Sequence, residues 1–156
     1  MSRQPLSASF FDLDWTNGWN TYANAGLYVL EQGLSVASPE PDIQLVDVPG
    51  RDAPLDLTEA LLAGYVHYKT RTITLQLVAV QRMGKEEPGF EPLISAVRTR
   101  LHGRRLRCVL SSDPDHSYEG RWKVECRQLS RRKATITITG TCDPYKVNMS
   151  TGEKRL

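Results

Sequence analysis

The stretch Asp113-Pro-Asp-His-Ser-Tyr-Glu-Gly-Arg-Trp-Lys-Val-Glu-Cys-Arg-Gln128, Leu-Ser130-Arg-Arg-Lys133, Ala-Thr-Ile-Thr-Ile-Thr-Gly140-Thr-Cys142-Asp-Pro-Tyr-Lys146 decides the fold. Trp122, Val124 and Cys126 alternate with charged residues. After a basic connection, Ile136, Ile138 and Gly140 alternate with threonines. Period-two alternation on both sides of a short polar turn predicts a β-hairpin with one apolar face. Asp113-Pro-Asp115 and Cys142-Asp-Pro-Tyr145 read as turn motifs at its outer ends, because Asp accepts backbone N–H bonds and Pro fixes φ.

Working outward, Thr70–Val80 is the clearest strand. Ile73, Leu75, Leu77 and Ala79 lie on one face, with Thr72, Thr74, Gln76 and Val78 on the other. Arg104–Leu110 alternates in the same way, with Leu106, Cys108 and Leu110 inward. Phe90–His102 carries Phe90, Leu93, Ile94, Val97 and Leu101 at helical spacing, and Gly103 stands where a helix ends. Nearer the N-terminus, residues 7–14 form a short strand followed by an Asn17-Gly18 turn. An extended segment to about Val36 carries Gly33 as a bulge. Ile43–Val48 is a further strand, and Pro49-Gly50 a type II turn signal. Asp56 or Thr58 caps one helical turn over Glu59–Leu62. Gly84–Gly89 is a charged loop, and residues 147–156 read as a polar arm.

These elements predict a mainly β (α+β) fold: an antiparallel β-sandwich or open barrel of about seven strands, with one packed α-helix. Residues 1–146 form one domain. The chain's 156 residues are enough to bury a core.

Composition narrows function mainly by exclusion. No apolar run reaches the ~18–20 residues of a membrane span, so no membrane association is expected. No apolar segment follows Met1-Ser-Arg-Gln-Pro5, so no signal peptide is expected. Cys108, Cys126 and Cys142 are widely spaced and odd in number, which predicts free, buried thiols in a reducing compartment. His67, His102 and His116 lack a second ligand at metal spacing, so neither metal nor cofactor is expected. Ser/His/Asp catalysis lacks its strained nucleophile turn. The acidic candidates Asp113, Asp115 and Glu119 approach a metal-nuclease pattern, but Glu119-Gly-Arg121 ends in the wrong residue, and turn chemistry is the simpler reading. The chain is not expected to be an enzyme.

Charge is asymmetric. Residues 1–78 carry four basic against nine acidic residues, and residues 79–156 carry sixteen against nine. Such a split fits nucleic-acid contact or a face that meets the opposite face of a neighbour. The basic set Arg104, Arg105, Arg107, Arg121, Arg127, Arg131, Arg132 and Lys133 has no interleaved aromatics for base stacking. On alternating strands it reads as a solvated face.

Six phrases, taken together and in order, resemble the N-terminal domain of phage distal tail proteins. They are Val48-Pro-Gly-Arg-Asp52, Leu55-Asp-Leu-Thr58, Tyr68-x-x-Arg71, Leu101-His-Gly103, Asp113-Pro-Asp115 with Tyr118-x-Gly-Arg121, and Cys142-Asp-Pro-Tyr-Lys146. The resemblance extends from about residue 26 to 146, and its phrases from Val48 to Lys146. The resemblance implies a β-sandwich with one helix and a protruding β-hairpin, a subunit of the virion tail tip assembled in the host cytoplasm. Six copies would close into a homo-hexameric ring between the tail tube protein and the tail-associated hub protein, with DNA only passing through the channel. Members with a second, carbohydrate-binding-like domain continue well past the Cys-Asp-Pro-Tyr-Lys phrase. Ten residues follow it in this sequence, so sugar binding through such a domain is not expected. The expected inter-subunit or tail-partner contacts are Pro49, Gly50, Arg51, Asp52 and Asp56, with Arg131, Arg132 and Lys133 at the hairpin tip. The competing reading is a small carbohydrate- or nucleic-acid-binding β module.

Overall fold

Threonine and β-branched residues at period two favour extended backbone, and most of the regular structure is strand. The computed structural model describes residues 6–61, 64–80, 90–128 and 133–156. In chain order the elements are β1 (Ala8–Phe11), β2 (Trp19–Asn20), α1 (Thr21–Ala25), β3 (Tyr28–Val36), β4 (Leu45–Val46), β5 (Leu55–Asp56), α2 (Thr58–Leu61), β6 (Arg71–Val80), α3 (Phe90–Leu101), β7 (Arg105–Leu110), β8 (Asp113–Gln128), β9 (Lys133–Cys142), β10 (Lys146–Asn148) and β11 (Lys154–Arg155).

Of the two layouts the sequence allows, the strands take the open one. A single antiparallel sheet runs in the order β2-β1-β7-β8-β9-β6-β3, and it does not close into a barrel. Most of the expected inward residues are buried: Ile73, Leu75, Leu77 and Ala79 from β6, Leu106, Cys108 and Leu110 from β7, Trp122 and Val124 from β8, and Ile136 and Ile138 from β9, whereas Cys126, expected buried with them, is only half-buried. The apolar stripe of α3 covers this face through Phe90, Ile94, Val97 and Leu101, all buried. Each such side chain contributes roughly 1.5–3 kcal/mol of transfer free energy before chain entropy is charged against it. The register of β3 against β6 shifts between Val29 and Leu34, where Gly33 predicts a bulge.

Trp122 sits at the centre. It pairs with Gly140 across β8 and β9, and its ring lies over that glycine. A methyl group on Gly140 would fall 2.6 Å from the indole Cε3. The indole Nε1 donates to the Leu106 carbonyl at 3.1 Å, and Phe10 meets the ring edge-on at 5.0 Å. The Trp122 backbone also fixes the end of α3. Gly103, with φ 74°, donates its N–H to the Trp122 carbonyl, and Trp122 N–H donates to Arg104. His102, expected only to close the helix, accepts the Val124 N–H through Nδ1 at 3.0 Å. The helix terminus thus continues the pairing edge of β8 where β7 has not yet begun.

Several expectations are corrected. Asp113-Pro-Asp115 is not a turn but the start of the sixteen-residue β8; the turn is at Ser111-Ser112. Leu110 pairs with Asp113 and Cys108 with Tyr118, so residues 114–117 form an enlarged bulge, where Pro114 costs no ladder bond. Residues 147–156 are not a trailing arm. β10 pairs with β8 at Ser117 and His116, taking up the edge that β9 leaves at Gly120, and β11 folds back on β10. The helix α1 was not expected. Asn20 caps it by accepting the N–H groups of Tyr22 and Ala23, and Gly26 closes it. Ahead of β6, Tyr68 forms an isolated antiparallel bridge to Pro41. The described arms of the β8–β9 hairpin do not protrude, because β6 flanks β9 from Arg71 opposite Cys142 to Val80 opposite Lys133. The hairpin that stands apart from the main sheet is β4–β5. The Gly84–Gly89 loop lies outside the described residues.

Overpacking a core typically costs about 1–3 kcal/mol. Gly140→Val is therefore expected to lower the thermal midpoint by several degrees, measured by calorimetry. An unchanged midpoint would show that the indole is free to move aside.

Candidate functional site

The segment between β3 and β6 carries the most exposed apolar surface. Val48-Pro49-Gly50-Arg51 makes the turn expected: Gly50 has φ 83°, and Arg51 N–H donates to the Val48 carbonyl at 3.2 Å. On either side, Leu45 pairs with Asp56 and Val46 with Leu55. This arm is rooted by Asp42 N–H on the His67 carbonyl, Lys69 N–H on Glu40, and Leu57 N–H on Gln44. Thr58 links α2 to the root by accepting the Gln44 N–H. Asp56 accepts both the hydroxyl and the N–H of Thr58, and these bonds hold its carboxyl below the usual range.

Leu45 and Val46 point to opposite faces of their strand, yet both are exposed, Leu45 by 56%. Neither face of the arm is covered by the core. Ile43, Val48, Leu61 and Tyr65 are exposed as well, Tyr65 by 74%. A two-stranded ribbon is marginal in water by itself, and concentrated exposed apolar groups mark a surface that meets a partner. The arm is also acidic. Residues 40–56 carry Glu40, Asp42, Asp47, Asp52 and Asp56 against one cation, Arg51, with Lys69 at the root, and none of the five carboxylates forms an ion pair among the described residues.

The second expected patch is elsewhere. Arg131 and Arg132 lie outside the described residues. Lys133 is exposed at the start of β9, opposite Val80, whereas the arm joins the body beside Thr70, at the other end of β6. Ten residues of strand separate the two, about 30 Å. They are two surfaces, not one site.

The outer face of the sheet is basic and hydroxylated. Arg121, Lys123 and Arg127 of β8 stand beside a row of Thr135, Thr137, Thr139 and Thr141 on β9, which faces Thr72 and Thr74 on β6. Arg105 pairs with Glu119 at 2.8 Å and Asp143 at 3.2 Å, and Lys123 with Glu125 at 2.9 Å. The Arg105 guanidinium keeps the Glu119 carboxyl below its ordinary value. Arg121 donates to the Gly103 carbonyl and has no carboxylate partner among the described residues. Arg107 stacks over the Trp15 ring at 5.0 Å. A groove of about 580 Å³ opens on this face, bounded by Thr70, His102, Arg105, Arg121, Lys123, Thr139 and Thr141.

Two of the three acidic candidates for catalysis, Asp113 and Glu119, are separately engaged. Asp113 binds Lys146 at 2.8 Å and His116 Nδ1 at 2.9 Å, while Glu119 binds the arginines. Among the described residues no three His, Cys, Asp or Glu side chains gather where a metal ion would sit. Burial pushes the Cys142 thiol up to about 12 and the Cys108 thiol well above its ordinary value, so both are protonated thiols rather than nucleophiles.

The backbone superposes on the crystal structure of SPP1 Dit, described as a paradigm of the hub adsorption apparatus in phages infecting Gram-positive bacteria, with a TM-score of 0.61 and 13% identity. The fold is Dit-like. The match covers 93% of this chain and 53% of that protein, so this chain spans about half its length. No family model and no curated protein matches the sequence. Within the Dit-like fold, sequence reasoning missed the exposed apolar residues of the arm. Their signal was present: Ile43, Leu45, Val46 and Val48 put apolar groups on both faces of a very short strand.

The Lys146 bond, with that of His116, depresses the Asp113 pKa. A depressed carboxyl stabilises the fold above its unfolded value of about 3.9, and that contribution disappears as pH falls through the folded value. Asp113→Asn is expected to lower the thermal midpoint at pH 7, with the gap to wild type closing below about pH 4. A gap that persists unchanged in acid would show that the ion pair contributes nothing.

Proposed function

We propose that this chain is a structural subunit of a phage tail tip or baseplate. Six copies close into a ring that joins the tail tube to the tail-associated hub protein, and DNA only passes through its channel. The observation that carries the reading is the Dit-like fold along 93% of the chain. The arm supports it independently, since exposed apolar groups on a separate ribbon have no use in a monomer. A ring needs two different complementary faces on each copy. Pro49, Gly50, Arg51, Asp52 and Asp56 belong to one of them. The basic tip, with Arg131, Arg132 and Lys133, contacts a neighbouring copy or a stacked tail partner. The role is structural and not catalytic, and its place is the virion tail tip. A carbohydrate- or nucleic-acid-binding module has less support, because the exposed aromatics Trp15, Tyr22 and Tyr65 lie on separate elements.

Native mass spectrometry is expected to show a species of six times the 17.6 kDa chain mass. Ile43→Asp with Leu45→Asp should raise the concentration for half-assembly by roughly tenfold or more. Both side chains are already exposed, so the monomer's thermal midpoint should hold. A wild-type monomer at high micromolar concentration would overturn the reading, and full assembly by the doubly substituted chain would remove the arm from it.

A further inference from the structure

We infer that the outward face of α3, together with Trp19 of β2, forms a binding recess for a carboxylate carried on a flat apolar body. The inference stands apart from the ring reading.

The recess follows from the sequence of the helix. Pro92, Ser95, Ala96 and Thr99 fall at i, i+3, i+4 and i+7, on the side of α3 opposite the buried Phe90, Ile94, Val97 and Leu101. All four are short, so no long side chain covers the helix backbone there. Larger groups stand at the margin: Trp19 on one side, with Arg100 and Arg104 toward the C-terminal end. Together they bound a volume of about 620 Å³, the size of a small-molecule site. Trp19, Pro92 and Ala96 make apolar wall, and Ser95 and Thr99 bring hydroxyls.

Charge selects the ligand. Two guanidiniums meet one carboxylate, since Asp12 lies 3.3 Å from Arg104 and 3.7 Å from Arg100. The Arg100 side chain is 17% exposed; its Nη2 donates to the Asn17 carbonyl, and its buried Nη1 has no hydrogen-bond partner. Burial, and then the nearby Arg104, hold the Arg100 guanidinium below its ordinary range, with Asp12 pulling the other way. A cation this far from water and short of partners is stabilised by an added anion. The one acid of the helix, Glu91, does not line the recess. Arg104 is exposed at the margin, and its planar fork matches a carboxylate. A flat body behind that carboxylate would lie against the Trp19 ring.

A strained turn holds these cations in place. Trp15 has φ 66° and Asn17 φ 53°, left-handed values uncommon outside glycine. Asp12 N–H donates to the Thr16 carbonyl at 3.0 Å, Asn17 Nδ2 to the Asp12 carboxylate at 2.8 Å, and Thr16 N–H to the Asp14 carboxylate at 3.1 Å. The turn thereby fixes the Asn17 carbonyl and the Asp12 carboxylate that grip Arg100. Strain maintained by so many bonds preorganises what it holds.

Fluorine NMR of protein labelled with fluorotryptophan tests the site. The chain has three tryptophans, and Trp19→Phe assigns the signal of interest. Sodium benzoate, at ionic strength held constant with sodium chloride, should shift the Trp19 signal saturably and leave that of buried Trp122 in place. Benzamide, the same body without the charge, should bind at least roughly tenfold more weakly. Sulfate, the charge without the body, should not move the Trp19 signal. Arg104→Gln should weaken benzoate binding by roughly tenfold or more. Because Arg104 also touches the helix end through the Arg100 carbonyl, a second variant is needed. Ala96→Glu puts a carboxylate into the recess at an exposed helix position that Glu suits, and should abolish binding. Matched thermal midpoints confirm that both variants fold. N-acetylphenylalanine binding more tightly than benzoate would place the natural carboxylate at the end of a partner chain; the reverse order makes the ligand a small free acid, and either order supports the site. A Trp19 shift that never saturates, benzamide binding as well as benzoate, sulfate reproducing the benzoate shift, or Ala96→Glu binding like wild type would overturn the inference. None of these outcomes bears on assembly, which the native mass measurement tests separately.

Discussion

The contact between the Trp122 indole and Gly140 sets the spacing of everything around it. A ring this large fits in the sheet only because its cross-strand partner has no side chain. Once seated, it presents an edge to Phe10 of β1 and its N–H to Leu106 of β7, and through its backbone it grips the residues that end α3. One side chain therefore ties together the first strand, the two central strands and the helix. Because interiors are packed like crystals rather than liquids, this fixes the register of the sheet as well as its cover.

That arrangement also defines what is left over. The inner face is used up by the core and by α3. The outer face carries threonines and ion-paired arginines, and the arm lies apart from both. A sheet that does not close leaves its outermost strands, here β2 and β3, with one edge outside the ladder, and Leu6 already takes part of the β3 edge through the Val29 N–H. An open sheet and an apolar arm that the core does not cover leave this small subunit with surface that a partner would bury.

The sequence made the interior legible and the exterior much less so. β6, β7 and the β8–β9 hairpin follow from strict alternation, and α3 from its single stripe and terminal glycine, because these signals are local and repeat many times. The Pro49-Gly50 turn was readable for the same reason: one φ angle determines it. What failed depends on distant partners. Asp113-Pro-Asp115 looks like a turn until Leu110 and Tyr118 are placed beside it. The last ten residues look like a polar arm until Lys146 meets Asp113 and β10 finds the edge of β8. Helix α1 has no apolar stripe, and only its caps betray it. For the candidate site, the loop at Pro49–Asp56 was chosen from its turn chemistry, and the structure adds the exposed Ile43, Leu45 and Val46 beside it. Alternation within so short a strand does not reveal whether either face is covered.

Electron microscopy of the purified protein, at concentrations where it assembles, tests the central claim most directly. The proposed function calls for closed rings with an open centre and six-fold end views. Single small particles, or open filaments that never close, would contradict it.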